Sequence, residues 1–145
     1  MVEISLARQC ILFHGLVEED IRRLIALGTE QTYHKGDVLV TQGSHEGKVF
    51  VLLEGMVEVQ VNAGETARPV VALGPGQLIG EITLVDGGPH SATVVVTQTP
   101  TRVLAFERDA LLALCEAHPR MGYRLMRNIA ADLGFKVRHH NLSMV

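Results

Sequence analysis

The stretch Leu78-Ile79-Gly80-Glu81-Ile82-Thr83-Leu84-Val85-Asp86-Gly87-Gly88-Pro89-His90-Ser91-Ala92-Thr93-Val94 is the most informative segment of this chain. A glycine-rich turn, Gly74-Pro75-Gly76, leads into it. The sequence then enters about one helical turn at Gly80-Glu81-Ile82, breaks at Gly87-Gly88-Pro89 and resumes as an apolar strand from Ala92 to Val96. The first amides of a short helix have no partner within the helix, and the helix dipole adds to their attraction for an anion. A carboxylate in that first turn, Glu81, would sit beside the anion rather than against it, where it can accept hydrogen bonds from sugar hydroxyls. This order of residues reads as a cradle for a phosphorylated sugar.

Working outward, the apolar residues on the N-terminal side keep the period of strands. Val38-Leu39-Val40, Val49 to Leu53 and the alternating Met56 to Val61 are β-rich. Turn signals separate them at Lys35-Gly36-Asp37, Gln42-Gly43-Ser44 and Glu54-Gly55, and Asn62-Ala63-Gly64-Glu65 reads as a hairpin tip before Pro69 to Leu73. Ala92 to Thr97 and Arg102 to Phe106 follow the central stretch. Short strands at near-regular spacing predict an antiparallel β-roll or jelly-roll. Residues 5–28 read as helical: acids at Glu18-Glu19-Asp20 open a run whose apolar face is Ile21, Leu24, Ile25 and Leu27, closed by Gly28. The roll is then expected over 31–107 and C-terminal helices over 108–140, in one domain covering 1–145. The first of those helices ends at His118-Pro119, and Pro119 suits the first turn of the next, where no amide hydrogen is needed. On that last helix Tyr123, Met126, Ile129, Ala130, Leu133 and Val137 recur at steps of three and four.

Composition narrows the function classes. With 47% hydrophobic residues in 145, the chain can bury roughly two-thirds of its unfolded surface. No apolar run approaches the roughly 18 residues of a membrane span, and Met1-Val2-Glu3 does not begin a signal peptide, so the expected setting is cytoplasmic. Cys10 and Cys115 lie in apolar contexts without metal or redox spacing and are expected to be buried free thiols. A net charge of −3 argues against a nucleic-acid binder, although Arg120, Arg124, Arg127, Lys136 and Arg138 make the last helix basic.

The central stretch closely resembles the phosphate-binding cassette of cyclic-nucleotide-binding domains, the sensor module of catabolite-activator-type regulators, cyclic-nucleotide-dependent kinases and gated channels. The resemblance rests on Gly80-Glu81-Ile82, Leu84, Pro89 and Ser91-Ala92-Thr93-Val94, with Gly36, Gly43 and Gly55 also in family positions. It extends over about residues 12–140. It implies a pocket for cAMP or cGMP, with Glu81 on the ribose 2′-hydroxyl, backbone amides from Gly80 and Ile82, and a hydroxyl and an amide from Ser91 and Ala92. It also implies that the long last helix, residues 120–140, lids the nucleotide base and forms a homodimer seam. The residues beyond it leave no room for a helix-turn-helix, so the expected role is a sensor acting through an unidentified effector.

Two positions depart from the family pattern. Leu78-Ile79 stands where an aromatic is common. His90 stands where the family carries its phosphate-pairing arginine, and histidine lacks arginine's permanent charge and two-pronged geometry. An anion at His90 would favour imidazolium, so binding there should strengthen as pH falls; Arg102 or Lys136 could compensate from elsewhere. Two other readings stand beside this one. A ligand-free dimerisation or docking module would use the same fold. A cupin-like metal protein would draw on His45-Glu46 and the strand that follows, with a faint echo at Pro89-His90. But His45 has no second histidine two residues away and Glu54 belongs to a turn, so fewer than three ligands converge. No Ser/His/Asp or Cys/His set is evident, and no catalytic activity is expected.

Overall fold

The computed structural model describes residues 2–63 and 66–139. The expected hairpin tip at Gly64-Glu65 and the end of the last helical segment at residue 140 lie outside them. Two four-stranded antiparallel sheets form the roll. One has the order β1 (Thr29–Tyr33), β8 (Thr101–Glu107), β3 (Lys48–Glu54), β6 (Leu78–Ile79); the other runs β2 (Val38–Val40), β7 (Thr93–Val96), β4 (Val57–Ala63), β5 (Thr66–Leu73). Helices lie at both ends of the chain, as the sequence pattern predicts.

The unbroken apolar run of β3 explains the layering. Alternate residues of a strand point to opposite faces, and here both faces are covered. Val49, Val51 and Leu53 join Leu12, Phe13, Ile21, Leu24, Phe106 and Leu125 in a core between sheet and helices. Phe50 and Leu52 join Val57, Leu73, Val94, Val96 and Val103 in a second core inside the roll.

The segment over 5–28 is not one helical region. It comprises α1 (Ile4–Ala7), a 3-10 turn at Ile11–Phe13 and α2 (Glu18–Leu27), and the roll begins at Thr29 rather than 31. Gly15, at φ +75°, sits in the break before α2, where the chain turns through a left-handed conformation that only glycine adopts readily. Periodicity alone did not show this break.

At the other end, α4 (Arg108–Ala117) leads into α5 (Pro119–His139), with Pro119 as its first residue, as expected. The two helices meet closely at Gly122, where a Cβ would come within 2.7 Å of the Cys115 carbonyl oxygen. Further along, the Asn128 side chain donates to the carbonyls of both Leu12 and His14 at 2.9 Å, tying α5 to the N-terminal turn. The apolar stripe of α5 therefore divides. Met121, Leu125 and Ile129 are buried within the protomer, and Met126 and Leu133 pack against the same core. Tyr123 is 65% exposed and Phe135 51%. Ile129, grouped with a dimer seam on spacing alone, is a core residue: it is 1% exposed, and a charge there would disrupt the protomer before any interface. Both cysteines are buried and free, and burial pushes the Cys10 thiol up to about 11.

Candidate functional site

The roll opens on one side into a cavity of about 350 Å³. Val40, Val59, Val61, Val71 and Leu73 wall it on the side of the second sheet, and Val94 belongs to the same lining. The opposite rim is the quoted stretch: Gly80, Glu81, Ile82 and Thr83, then His90, Ser91 and Ala92. All six residues expected at the site therefore line one cavity. Lys136 of α5 joins them.

Gly80 is the hinge of the rim. It caps α3 (Glu81–Asp86) at φ +87°, and a Cβ there would lie 2.6 Å from the Lys48 carbonyl oxygen. Glycine meets both demands at once. The far end of α3 closes on Gly87, and Arg108 donates from Nε to the Thr83 and Leu84 carbonyls, 3.1 Å each. A cation at a helix C-terminus offsets the negative end of its dipole.

His90 is buried, at 5% exposure, and its ring bridges two segments. Nε2 lies 2.7 Å from the Glu46 carbonyl oxygen and Nδ1 3.2 Å from Thr83 Oγ1. A carbonyl only accepts, so Nε2 carries a proton and donates it. Both nitrogens are thus engaged with the protein, and the imidazole ties the loop before β3 to α3 while its ring contributes to the cavity wall.

Arg102 and Lys136, the two candidates for a compensating charge, have separate fates. Arg102 lies across β1, β8 and β3, paired with Glu30 and, at 3.4 Å, Glu54. It does not line the cavity. Lys136 reaches in from α5: its Nζ donates to Glu81 Oε1 at 2.9 Å and to the Leu78 carbonyl at 3.0 Å. Asp132, one turn earlier on α5, places Oδ2 3.0 Å from the same nitrogen, close enough to pair by charge but off hydrogen-bond alignment. The sequence reading gave neither Asp132 nor Thr83 a role at the site. The Asp132–Lys136 spacing of four, which stacks two side chains on one helix face, was the available signal for the former.

The cluster is deeply buried, with Glu81 7% and Asp132 4% exposed. Glu81 Oε2 has no hydrogen-bond partner among the described residues. Burial pushes the Glu81 carboxyl above the usual carboxylate range; Lys136 opposes this through its charge and hydrogen bond, and Asp132 adds to it. Among the described residues, no three His, Cys, Asp or Glu side chains gather as a metal site, and no helix is long and apolar enough to cross a membrane.

A β-roll whose small-molecule cavity is rimmed by a Gly-Glu-Ile helix start and a Pro-x-Ser-Ala-Thr-Val strand entry defines a ligand-sensing fold, and comparison with known proteins agrees. The chain belongs to the cyclic nucleotide-binding domain family, whose model matches residues 30–118. It is 31% identical over 134 residues to the cyclic AMP receptor protein of Thermus thermophilus, covering 92% of this chain and 60% of that protein. The crystal structure of the Thermus thermophilus catabolite activator protein superposes with a TM-score of 0.78 at 30% identity, over 92% of this chain and 61% of that one. A cyclic nucleotide-binding domain from Methylobacillus flagellatus shares the fold at a TM-score of 0.85 and 24% identity, over 97% and 79% of the two chains.

The raised carboxyl of Glu81 has a measurable consequence. Its folded-state value lies above the unfolded value of about 4.3. Its contribution to stability is therefore fully present below the unfolded value and is lost as pH rises through the folded one. Glu81→Gln removes that titration. The stability of the variant relative to the native protein should rise with pH across this window and stay flat below it, as measured by urea unfolding at successive pH values. A relative stability that falls with pH would contradict the assignment.

Proposed function

We propose that this chain is a regulatory, non-catalytic sensor that binds a cyclic nucleotide of the cAMP or cGMP type weakly, in the cavity beneath the quoted stretch. The observation that carries this reading is the placement of Gly80, Glu81, Ile82, Ser91 and Ala92 around one cavity, with the Glu81 carboxylate buried at its rim. A cavity of about 350 Å³ falls within the range of small-molecule sites. By the family resemblance, Glu81 receives the ribose hydroxyl, and the amides of Gly80, Ile82 and Ala92, with the Ser91 hydroxyl, receive the phosphate. The weakness follows from His90, whose nitrogens are bonded to Glu46 and Thr83 where the family has an arginine fork. In a cytoplasmic setting such a module would act through a partner or a linked effector.

Titration calorimetry with cAMP and cGMP tests this. Weak binding to the native protein is expected, with loss in Glu81→Ala. In His90→Arg affinity should rise tenfold or more, about 1.4 kcal/mol or above. Absence of binding to all three proteins would overturn the reading.

The same reading includes a homodimer through the outward face of α5. Tyr123, Arg127 and Ala130 follow one another there at helical spacing and are exposed. Ala130→Glu sets a carboxylate of each protomer against its symmetry mate and should shift light scattering at micromolar concentration from dimer to monomer. A monomeric native protein over that range would remove the dimer from the account.

A further inference from the structure

The balance of donors and acceptors around the cavity points to the charge of its ligand. The open capacity of the buried cluster is acceptor: Glu81 Oε2 and Asp132 Oδ2, on side chains more than nine-tenths buried, lack hydrogen-bond partners among the described residues. Of the two residues, Glu81 lines the cavity. The cationic capacity is committed. Lys136, the lysine or arginine among the residues lining the cavity, has its Nζ within 3.0 Å of the oxygens of Leu78, Glu81 and Asp132. The ammonium donates to Leu78 and Glu81, and Asp132 Oδ2, off hydrogen-bond alignment at 3.0 Å, takes up its charge. His90 offers nothing further, since both its nitrogens face protein oxygens. Two carboxylates thus share one ammonium, and most of the remaining lining is apolar.

We propose that the cavity selects an uncharged, hydroxyl-bearing ligand of the ribonucleoside class over the same nucleoside carrying a cyclic phosphate. A phosphodiester brings a third anion to a buried place where two carboxylates already share one ammonium, and amides and a hydroxyl alone do not neutralise its charge as a free cation would. A hydroxyl instead donates to Glu81 Oε2 and completes a bond the protein leaves open. A cationic ligand meets the Lys136 ammonium at the same carboxylate. The valine and leucine walls suit an apolar, flat body attached to the hydroxyl-bearing part. The choice of ribose among hydroxyl-bearing groups rests on the function proposed above; the choice of charge rests on the cluster alone.

Titration calorimetry at pH 7 on the complete chain provides the test, with adenosine and guanosine each set against its 3′,5′-cyclic phosphate. Each nucleoside that binds should do so at least tenfold more tightly than its cyclic phosphate. The 2′-deoxynucleoside, lacking the donor, should bind at least tenfold more weakly than the nucleoside. Asp132→Asn removes one of the two carboxylates with little change of shape. It should improve cyclic nucleotide binding about tenfold and leave nucleoside binding within about twofold. A cyclic nucleotide that binds more tightly than its nucleoside overturns the charge selection and leaves the function proposed above intact. Failure of every nucleoside and cyclic nucleotide to bind overturns both. Thermal unfolding of Asp132→Asn checks that the variant is folded.

Discussion

The ammonium of Lys136 sits where three parts of the molecule meet. It takes the carbonyl of Leu78 at the end of β6, the carboxylate of Glu81 at the start of α3, and the carboxylate of Asp132 one turn back on its own helix. Burying two carboxylates and one ammonium is costly unless each finds a partner, so the position of α5 and that of the cavity rim are bound to one another. Removing the ammonium leaves two carboxylates without compensation in a place water reaches poorly. The rim and the helix therefore behave as a coupled pair, whichever molecule occupies the cavity.

The rest of the architecture prepares this meeting. Gly122 lets α5 close on α4, and Asn128 fixes its middle to the turn at Leu12 and His14, which sets the height at which Lys136 enters. On the rim, Gly80 supplies the left-handed turn that starts α3 beside the Lys48 carbonyl, Arg108 holds the far end of that helix, and His90 ties it to the Glu46 loop. Any ligand hydroxyl that reaches Glu81 enters a site whose carboxylate is already shared with α5. This gives a physical route from cavity to helix, because a change at the carboxylate changes what holds the end of α5.

Much of this was legible before the structure. Glycines that serve a left-handed turn and a close backbone approach, an alternating strand at Met56 to Val61, and proline at the start of α5 are local signals, and local physics decides them. The rim residues were readable for the same reason, being contiguous in sequence. The division of the α5 stripe was not. Ile129 and Tyr123 both belong to the stripe in a helical projection, and only the packing of the rest of the fold decides which face turns inward. The broken helical segment before residue 28 was hidden because apolar residues continue through the break at Gly15. His90 was recognised as the unusual position, but not that its ring would bridge Glu46 and Thr83, since Glu46 lies 44 residues away in sequence. Lys136 could be named as a source of charge but not placed, because its distance to Glu81 is a product of the whole fold.

The coupling between α5 and the rim is the center of this account, and a double-mutant cycle measures it directly. Glu81→Gln, Lys136→Met and the double variant are compared with the native protein by urea unfolding at pH 7. A buried pair bonded at 2.9 Å should give an interaction energy above about 1 kcal/mol, with the double variant less destabilised than the sum of the singles. Additivity within about 0.3–0.5 kcal/mol would mean that the pair contributes nothing as a pair, and the account of α5 held to the rim through Lys136 would be wrong.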